Sequence, residues 1–325
     1  EFWNGFEWRQ FTVTGASGRG VFGGGGAPSL PGNYSSNIDY VNISSTGNAI
    51  NFGNLTTSNR HPSGCSSETR GVIYLGYLSP GVTTNIIEYI TIASAGNSID
   101  FGDVTTDTAY SGGSCSSSTR GMFAAGYSFA PINARINTIQ YITISTLGNT
   151  LDFGDLTSAR QNATGTLSSP TRGLFGGGNT SPGTYTSSID AVTISSTGNS
   201  ILFGNLVVKR GDIAGCSNGT RGIFGGGYFY PSPGTAYYNV IEYITISSNG
   251  NSSYFGDLTF SGGYKSATAS KIRGVFAGGT PSTYNNIIDY VTIASTGNAQ
   301  DFGDLTIGRF NIAALSDSHG GLGGF

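Results

Sequence analysis

Lysine is almost missing from this chain. Of 325 residues, Lys209, Lys265 and Lys271 are the only lysines, beside twelve arginines. Charged side chains make up 10% of the sequence, where about 25% is usual for a soluble domain. A net charge of −3 and a sequence pI near 5.3 exclude the ordinary basic surface of a nucleic-acid-binding protein. No apolar run approaches the roughly 18 residues that a helical membrane span requires. The opening EFWNGFEW has no Met, no basic segment and no apolar segment, so no signal peptide is visible, and the start reads as cut from something longer. Cysteine and histidine are scarce too, at three and two residues. Cys65, Cys115 and Cys216 are separated by whole repeats and are expected to be buried thiols rather than a disulfide or a metal set. His61 and His319 have no partner Cys or carboxylate cluster in sequence, which excludes a zinc or copper motif.

Glycine is the abundant residue, at 53 positions, and aromatic residues reach 12%. So low a charge with this aromatic content argues for a packed core rather than disorder. The dipeptide Arg-Gly recurs at Arg19, Arg70, Arg120, Arg172, Arg221 and Arg273, and His319-Gly320 is a seventh copy. The steps are 51, 50, 52, 49, 52 and 46 residues, which defines one structural unit repeated along the chain. Each unit reads as four short strands. Strand A is a stretch of small residues before Arg-Gly, as in 311–318. Strand B is the apolar run after it, such as VFGGG or IFGGG. Strand C alternates apolar and polar residues, as in NIIDYVTIAS at 286–295. Strand D follows a turn that reads STGN, SAGN or SNGN, where Gly and Asn suit a tight hairpin.

Four-stranded repeats with no helical periodicity predict an all-β, single β-propeller filling residues 1–325. Residues 1–20 align without a gap to residues 301–320, so the ends carry the same D–A–B segment twice. Seven A, seven B and seven D strands but six C strands follow. Seven blades, closed by a mixed blade of N- and C-terminal strands, are the expectation, with six as the alternative; the missing C strand would come from outside the chain.

The double glycines Gly24-Gly25, Gly177-Gly178, Gly226-Gly227 and Gly278-Gly279, followed by an alternating strand with an acid and a Tyr, resemble the kelch repeat. Phe52, Phe101, Phe153, Phe203, Phe255 and Phe302 stand where that family has a Trp. The wording IDYVTISSTGN, FGDLT and CSSxTRGVFGGG is similar to kelch-like proteins of tailed marine phages. The resemblance implies a virion component at a tail, fibre or capsid surface, extracellular, and part of a larger chain or assembly. Recognition of a host-surface glycan or of another virion protein is the expected role, with no membrane insertion. The sequence offers no non-repeating His or carboxylate cluster, so no enzymatic activity and no cofactor are expected. A cellular kelch-type interaction scaffold is the alternative. Kelch-type oxidases need a copper set of two Tyr, two His and a cross-linked Cys, which this sequence does not assemble.

The loops between strands B and C vary most and share a rim with the D–A loops, so binding is expected there. Their aromatic residues Tyr34, Tyr185, Tyr228, Phe229, Tyr230, Tyr237, Tyr238 and Tyr284 are candidate contacts. Arg60, Arg160, Arg210 and Arg309, in the D–A loops, are read either as inter-blade ion pairs or as an anion- or glycan-binding ring. The acids Asp39, Glu88, Asp190, Glu242 and Asp289 open strand C and repeat around the ring, which suits structural pairing better than the single carboxylate pair of a glycosidase.

Overall fold

The computed structural model describes residues 2–3, 8–9, 18–110, 113–129, 131–163, 165–230, 234–280 and 285–322. Six antiparallel sheets of four strands follow one another, each in the order A, B, C, D. Blade 1 consists of Ala313–Ser316, Arg19–Gly23, Ser35–Asn42 and Ile50–Asn59. In blade 2 the strands are Ser63–Ser66, Arg70–Tyr74, Ile86–Thr91 and Ile99–Asp103. Blade 3 has Ser114–Ser116, Arg120–Ser128, Ala134–Thr143 and Leu151–Asp155; blade 4 has Gly165–Ser168, Arg172–Gly176, Ser188–Thr193 and Ile201–Asn205. Blade 5 has Ala214–Ser217, Arg221–Gly225, Val240–Thr245 and Ser253–Asp257; blade 6 has Ser266–Ala269, Arg273–Ala277, Ile287–Thr292 and Gln300–Asp304.

The propeller therefore has six blades, not the seven expected. The duplicated ends explain the difference. Strand A at Ala313–Ser316 pairs with strand B at Arg19–Gly23, Val21 opposite Leu315 and Gly20 opposite Ser316. The C-terminal copy of the D–A segment thus fills the one place the ring offers. Phe2–Trp3 pairs with Trp8–Arg9 in a separate hairpin and joins none of the six sheets. The seventh Arg-Gly copy makes no strand B either: Gly320–Leu322 is a single 3-10 turn. No C strand is missing, because six C strands match six blades.

Three features that the repeat holds nearly constant turn out to be seams between neighbouring blades. The first is the glycine of Arg-Gly. A Cβ at Gly121 would lie 2.5 Å from Cys65 Sγ, at Gly173 2.6 Å from Cys115 Sγ, and at Gly274 2.7 Å from Cys216 Sγ. Leu167 fills the same hole at Gly222, Thr268 at Gly20 and Leu315 at Gly71. Each strand A thus pushes one side chain into the next blade, and the residue there must be glycine to make room. The three cysteines are free and buried knobs of this series. The other five knobs lie five residues before the Arg of Arg-Gly, whereas in blade 1 the knob is Leu315, four residues before His319.

The second seam is the arginine itself. Arg70 Nη1 donates to Ile144 O at 2.8 Å, Arg120 to Ile194 O at 2.6 Å and Arg19 to Ile92 O at 2.7 Å. The remaining three reach Ile246, Ile293 and Ile43 in the same way. Five of the six guanidiniums lie over the tyrosine of their own strand C, such as Tyr40 at 4.4 Å and Tyr89 at 4.6 Å. Ala191 replaces that tyrosine in blade 4, and Arg172 faces Phe203 instead.

The third seam is the turn between strands C and D. The Asn97 side chain accepts from Asn54 N at 3.0 Å, Asn149 from Asp103 N at 3.0 Å, and Asn48 from Asp304 N at 3.1 Å. Gly96 N donates to Phe52 O, and a Cβ at Gly53 would meet the Gly96 carbonyl at 2.2 Å. The turn is nearly invariant because it docks on the preceding blade, not only because it closes a hairpin. The apolar clusters follow the same logic: Val21 and Ile38 of blade 1 pack with Ile73 and Ile90 of blade 2.

Candidate functional site

The six A strands enclose a narrow central channel of about 100 Å³, well below the roughly 300–1,000 Å³ of small-molecule pockets. Serine hydroxyls stitch its wall: Ser66 Oγ donates to Ser316 O, Ser116 Oγ to Ser66 O and Ser217 Oγ to Ser168 O, at 2.7, 2.9 and 2.6 Å. Ala269 interrupts this belt in blade 6. At the A–B end, His319 lines the channel. Its Nε2 lies 2.9 Å from Ser66 O, and its Nδ1 accepts from Gly321 N at 3.1 Å. That pattern fixes a neutral ring protonated at Nε2, and burial lowers its pKa. A Cβ at Gly321 would meet Ser116 O, which shows how tightly this turn plugs the channel.

The other end, on the D–A and B–C rim, is built differently. One residue per blade there has a left-handed backbone: His61, Tyr110, Asn162, Asp212, Tyr264 and Asn311. Asp and Asn tolerate this conformation best, because a short polar side chain compensates it locally. Successive backbones are linked: Asp212 N donates to Asn162 O at 2.9 Å, Tyr264 N to Asp212 O at 3.2 Å and Asn311 N to Tyr264 O at 2.9 Å. The six side chains differ from blade to blade, so the axial mouth is the place where the repeat gives way to individual chemistry. His61 Nε2 lies 3.2 Å from Asn311 Nδ2. Burial, with the Arg60 charge second, holds the His61 pKa well below its usual value.

Asp212 is the unusual residue of this ring. It is 0% exposed, and neither carboxyl oxygen completes a hydrogen bond. Burial raises its pKa to about 8, opposed by the nearby Tyr228 hydroxyl, the Arg60 charge and the Asn162 amide. An acid whose pKa rises on folding binds its proton more tightly in the folded chain. Its contribution to stability is full below its ordinary value of 3.8 and is lost as the pH climbs toward about 8. Asp212→Asn keeps the shape and removes the titration. Thermal melts between pH 5 and pH 8.5 are expected to show the wild-type melting temperature falling relative to the variant as pH rises. Parallel profiles would show that Asp212 stays ionised in the fold.

The D–A arginines do not form a surface ring. Arg160, Arg210 and Arg309 are each 0% exposed and pair with Asp190, Glu242 and Asp39 of the following blade at 2.6, 2.7 and 2.6 Å. This is the ion-pair alternative, and it removes these three from the candidate ligand contacts. The interruptions of the series are matched. Ala109 faces a blade that carries Gln140 in place of the acid. Gly262 precedes Lys265, which is buried and feels the charge of Asp289, with its own pKa lowered by burial to about 7. Arg60 alone turns away. Its guanidinium lies 4.6 Å from the Phe310 ring centroid, while Glu88 accepts from Thr56 and Ser98.

Aromatic side chains surround the mouth in two groups. On blades 1–3, Tyr34 lies 6.2 Å from Tyr77, which stacks on Tyr110 at 5.7 Å; Phe129 contacts Tyr77, Tyr110 and Tyr127. On blades 4–6, Tyr228 contacts Tyr185, Tyr237 and Tyr264, and Phe229 lies against Tyr185 with Lys209 Nζ 5.2 Å from its ring. Of the residues expected from sequence, Tyr185 is buried and Tyr228 is a packed anchor whose hydroxyl accepts from Asn162 Nδ2 at 3.2 Å. Tyr34, Phe229, Tyr237 and Tyr238 are half-buried, and Tyr230 is 54% exposed. Tyr284 lies outside the described residues.

No family model and no curated protein matches this chain. Its fold does have a solved counterpart. The structure of YjhT superposes over 82% of this chain and 91% of that one, with a TM-score of 0.65 and 10% identity. At that identity the likeness is one of fold alone. It supports the propeller.

Sequence reasoning missed Tyr77, Tyr110, Phe129, Asp212 and Tyr264. Tyr77 and Phe129 stand at the B–C loops of blades 2 and 3, from which sequence reasoning takes no candidate ring. Tyr110, Asp212 and Tyr264 follow the repeat's Arg slot by one or two residues, and this varying offset hides their equivalence. Among the described residues, no three His, Cys, Asp or Glu side chains gather to hold a metal ion.

Proposed function

We propose that the chain is a non-enzymatic binding module that uses the aromatic D–A and B–C rim. The observation that carries this reading is the concentration of half-exposed Tyr and Phe rings around the axial mouth, on loops that the six-blade scaffold presents on one rim. Rings of this kind present flat amphipathic area at low entropic cost and stack on the apolar faces of sugars or on protein side chains. Asp212 and His61 are enclosed within the ring of left-handed residues, which speaks against acid–base chemistry on a bound substrate. The repeat's resemblance to kelch-like proteins of tailed marine phages supports a place on a virion surface, with a host-surface glycan as ligand. The small channel volume directs any sugar to the rim surface. The lack of a ligand-sized cavity in the channel equally suits contact with a neighbouring virion protein, which is the second reading.

A glycan array and a fluorescent binding assay on marine bacteria test it, comparing the wild type with Tyr230→Ala/Phe129→Ala. Saturable binding that the double variant loses at unchanged melting temperature is the expected result. No binding to any sugar or cell would shift the reading to a structural role within a particle.

A further inference from the structure

The acidic overall composition conceals a basic face. Strands B begin and strands C end on the A–B and C–D rim, and all six Arg-Gly arginines lie there, half-buried. Lys271 sits in an A–B turn of the same rim. The carboxylates in the A–B turns of this face are Glu68 and Asp317, and Asp317 is buried and accepts from the Arg19 backbone N–H. Asp100, Asp152 and Asp301 are exposed as the second residues of their strands D, one step in from this rim, so the six guanidiniums and Lys271 outnumber the acids near them. By contrast, Asp103, Asp107, Asp155, Asp257 and Asp304 lie on the opposite rim, where strands D end. None of the six guanidiniums is in an ion pair among the described residues, where the pairs are those of Arg160, Arg210 and Arg309.

Each of these six side chains is already immobilised. Nη1 is spent on the carbonyl of the next blade, and in five blades the plane rests on a tyrosine. The hydrogen bonds of these side chains among the described residues all run from Nη1, and their Nε and Nη2 atoms are not among the buried polar atoms without a partner, so these donors keep some contact with solvent. A guanidinium held in place with donors to spare loses little entropy when it takes an oxyanion, and its fork matches carboxylate and sulfate.

We propose that the A–B and C–D face is a polyanion-binding surface whose ligand is an acidic polysaccharide, carrying carboxylate or sulfate at repeated spacing. Two observations favour a polysaccharide over a nucleic acid. The tyrosines of this face are covered by arginine and are not free to stack bases, and the turns around them are lined with Ser, Thr and Asn hydroxyls and amides suited to sugar hydroxyls. This surface is distinct from the aromatic rim and stands or falls without it.

The test is retention of the whole chain on immobilised heparin and polygalacturonate, with single-stranded DNA and polyglutamate as comparison columns, starting near about 50 mM NaCl, where screening is weak. Thr46→Glu/Ser118→Glu/Thr146→Glu places three carboxylates at exposed turn positions of this face without touching an arginine clamp. Lys209→Glu makes a charge change on the opposite rim. Wild type and Lys209→Glu should elute together, and the triple variant should elute at less than about half their salt concentration. Flow-through of the wild type on both polysaccharides would overturn the proposal. So would equal elution of the triple variant, or tighter retention on DNA or polyglutamate than on either polysaccharide.

Discussion

Gly177→Val is expected to unfold the propeller or to lower its stability by about 3–5 kcal/mol, combining the left-handed strain and overpacking of a branched side chain. Gly177 closes strand B of blade 4 with φ +70°, and a Cβ there would stand 2.5 Å from the Arg210 carbonyl oxygen and 2.7 Å from Ile213 Cδ1. The carbonyl cannot move aside cheaply. Gly178 N donates to it, and the same residue's guanidinium is locked on Glu242. Gly183 is the internal control, because its φ is +73° but nothing lies within 4 Å of the position its Cβ would take. Valine at 183 carries the backbone strain alone and should cost about 1–2 kcal/mol. Denaturant melts of both variants separate the two causes. Equal losses at 177 and 183 would show that close approach contributes nothing. Ala125 has φ +60° at the equivalent place in blade 3, so it is the crowding at 177, rather than the conformation alone, that makes valine severe.

Most of the fold is legible in the sequence because the repeat writes each strand six times, and the turn residues mark every boundary. The blade number is not legible, because counting strands cannot say which of two copies is used. Both 1–20 and 301–320 fit the pattern, and only the pairing of Leu315 with Val21 decides between them. The inter-blade seams are hidden for a related reason. A conserved Arg-Gly or STGN reads as a turn within one unit, whereas its partners, Ile144 for Arg70 or Asn54 for Asn97, lie one blade away. The candidate site is the least legible part. Its residues escape the repeat by nature, and burial separates Tyr228, a packing anchor, from Tyr230, an exposed ring, although they are two positions apart.

Ring closure supplies the second large effect. A chain ending at Ile307 loses strand A of blade 1 and with it Ile312, Leu315 and the Arg309–Asp39 pair. Two buried branched side chains contribute about 1.5–3 kcal/mol each, and stranding Asp39 without its cation costs about 3–5 kcal/mol. Together these match the whole stability of a typical domain, about 5–15 kcal/mol, so this chain should lack a cooperative melt and expose the edge of strand B. A chain beginning at Gly18 should melt within a few degrees of the full sequence, since the place beside strand B is taken by Ala313–Ser316. The reverse outcome, stability lost with residues 1–17 and kept without 308–325, would mean that the N-terminal copy closes the ring. If the chain ending at Ile307 stays folded and melts only when residues 1–17 are removed as well, the two copies are interchangeable. The duplicated segment would then be a spare latch for the same seat.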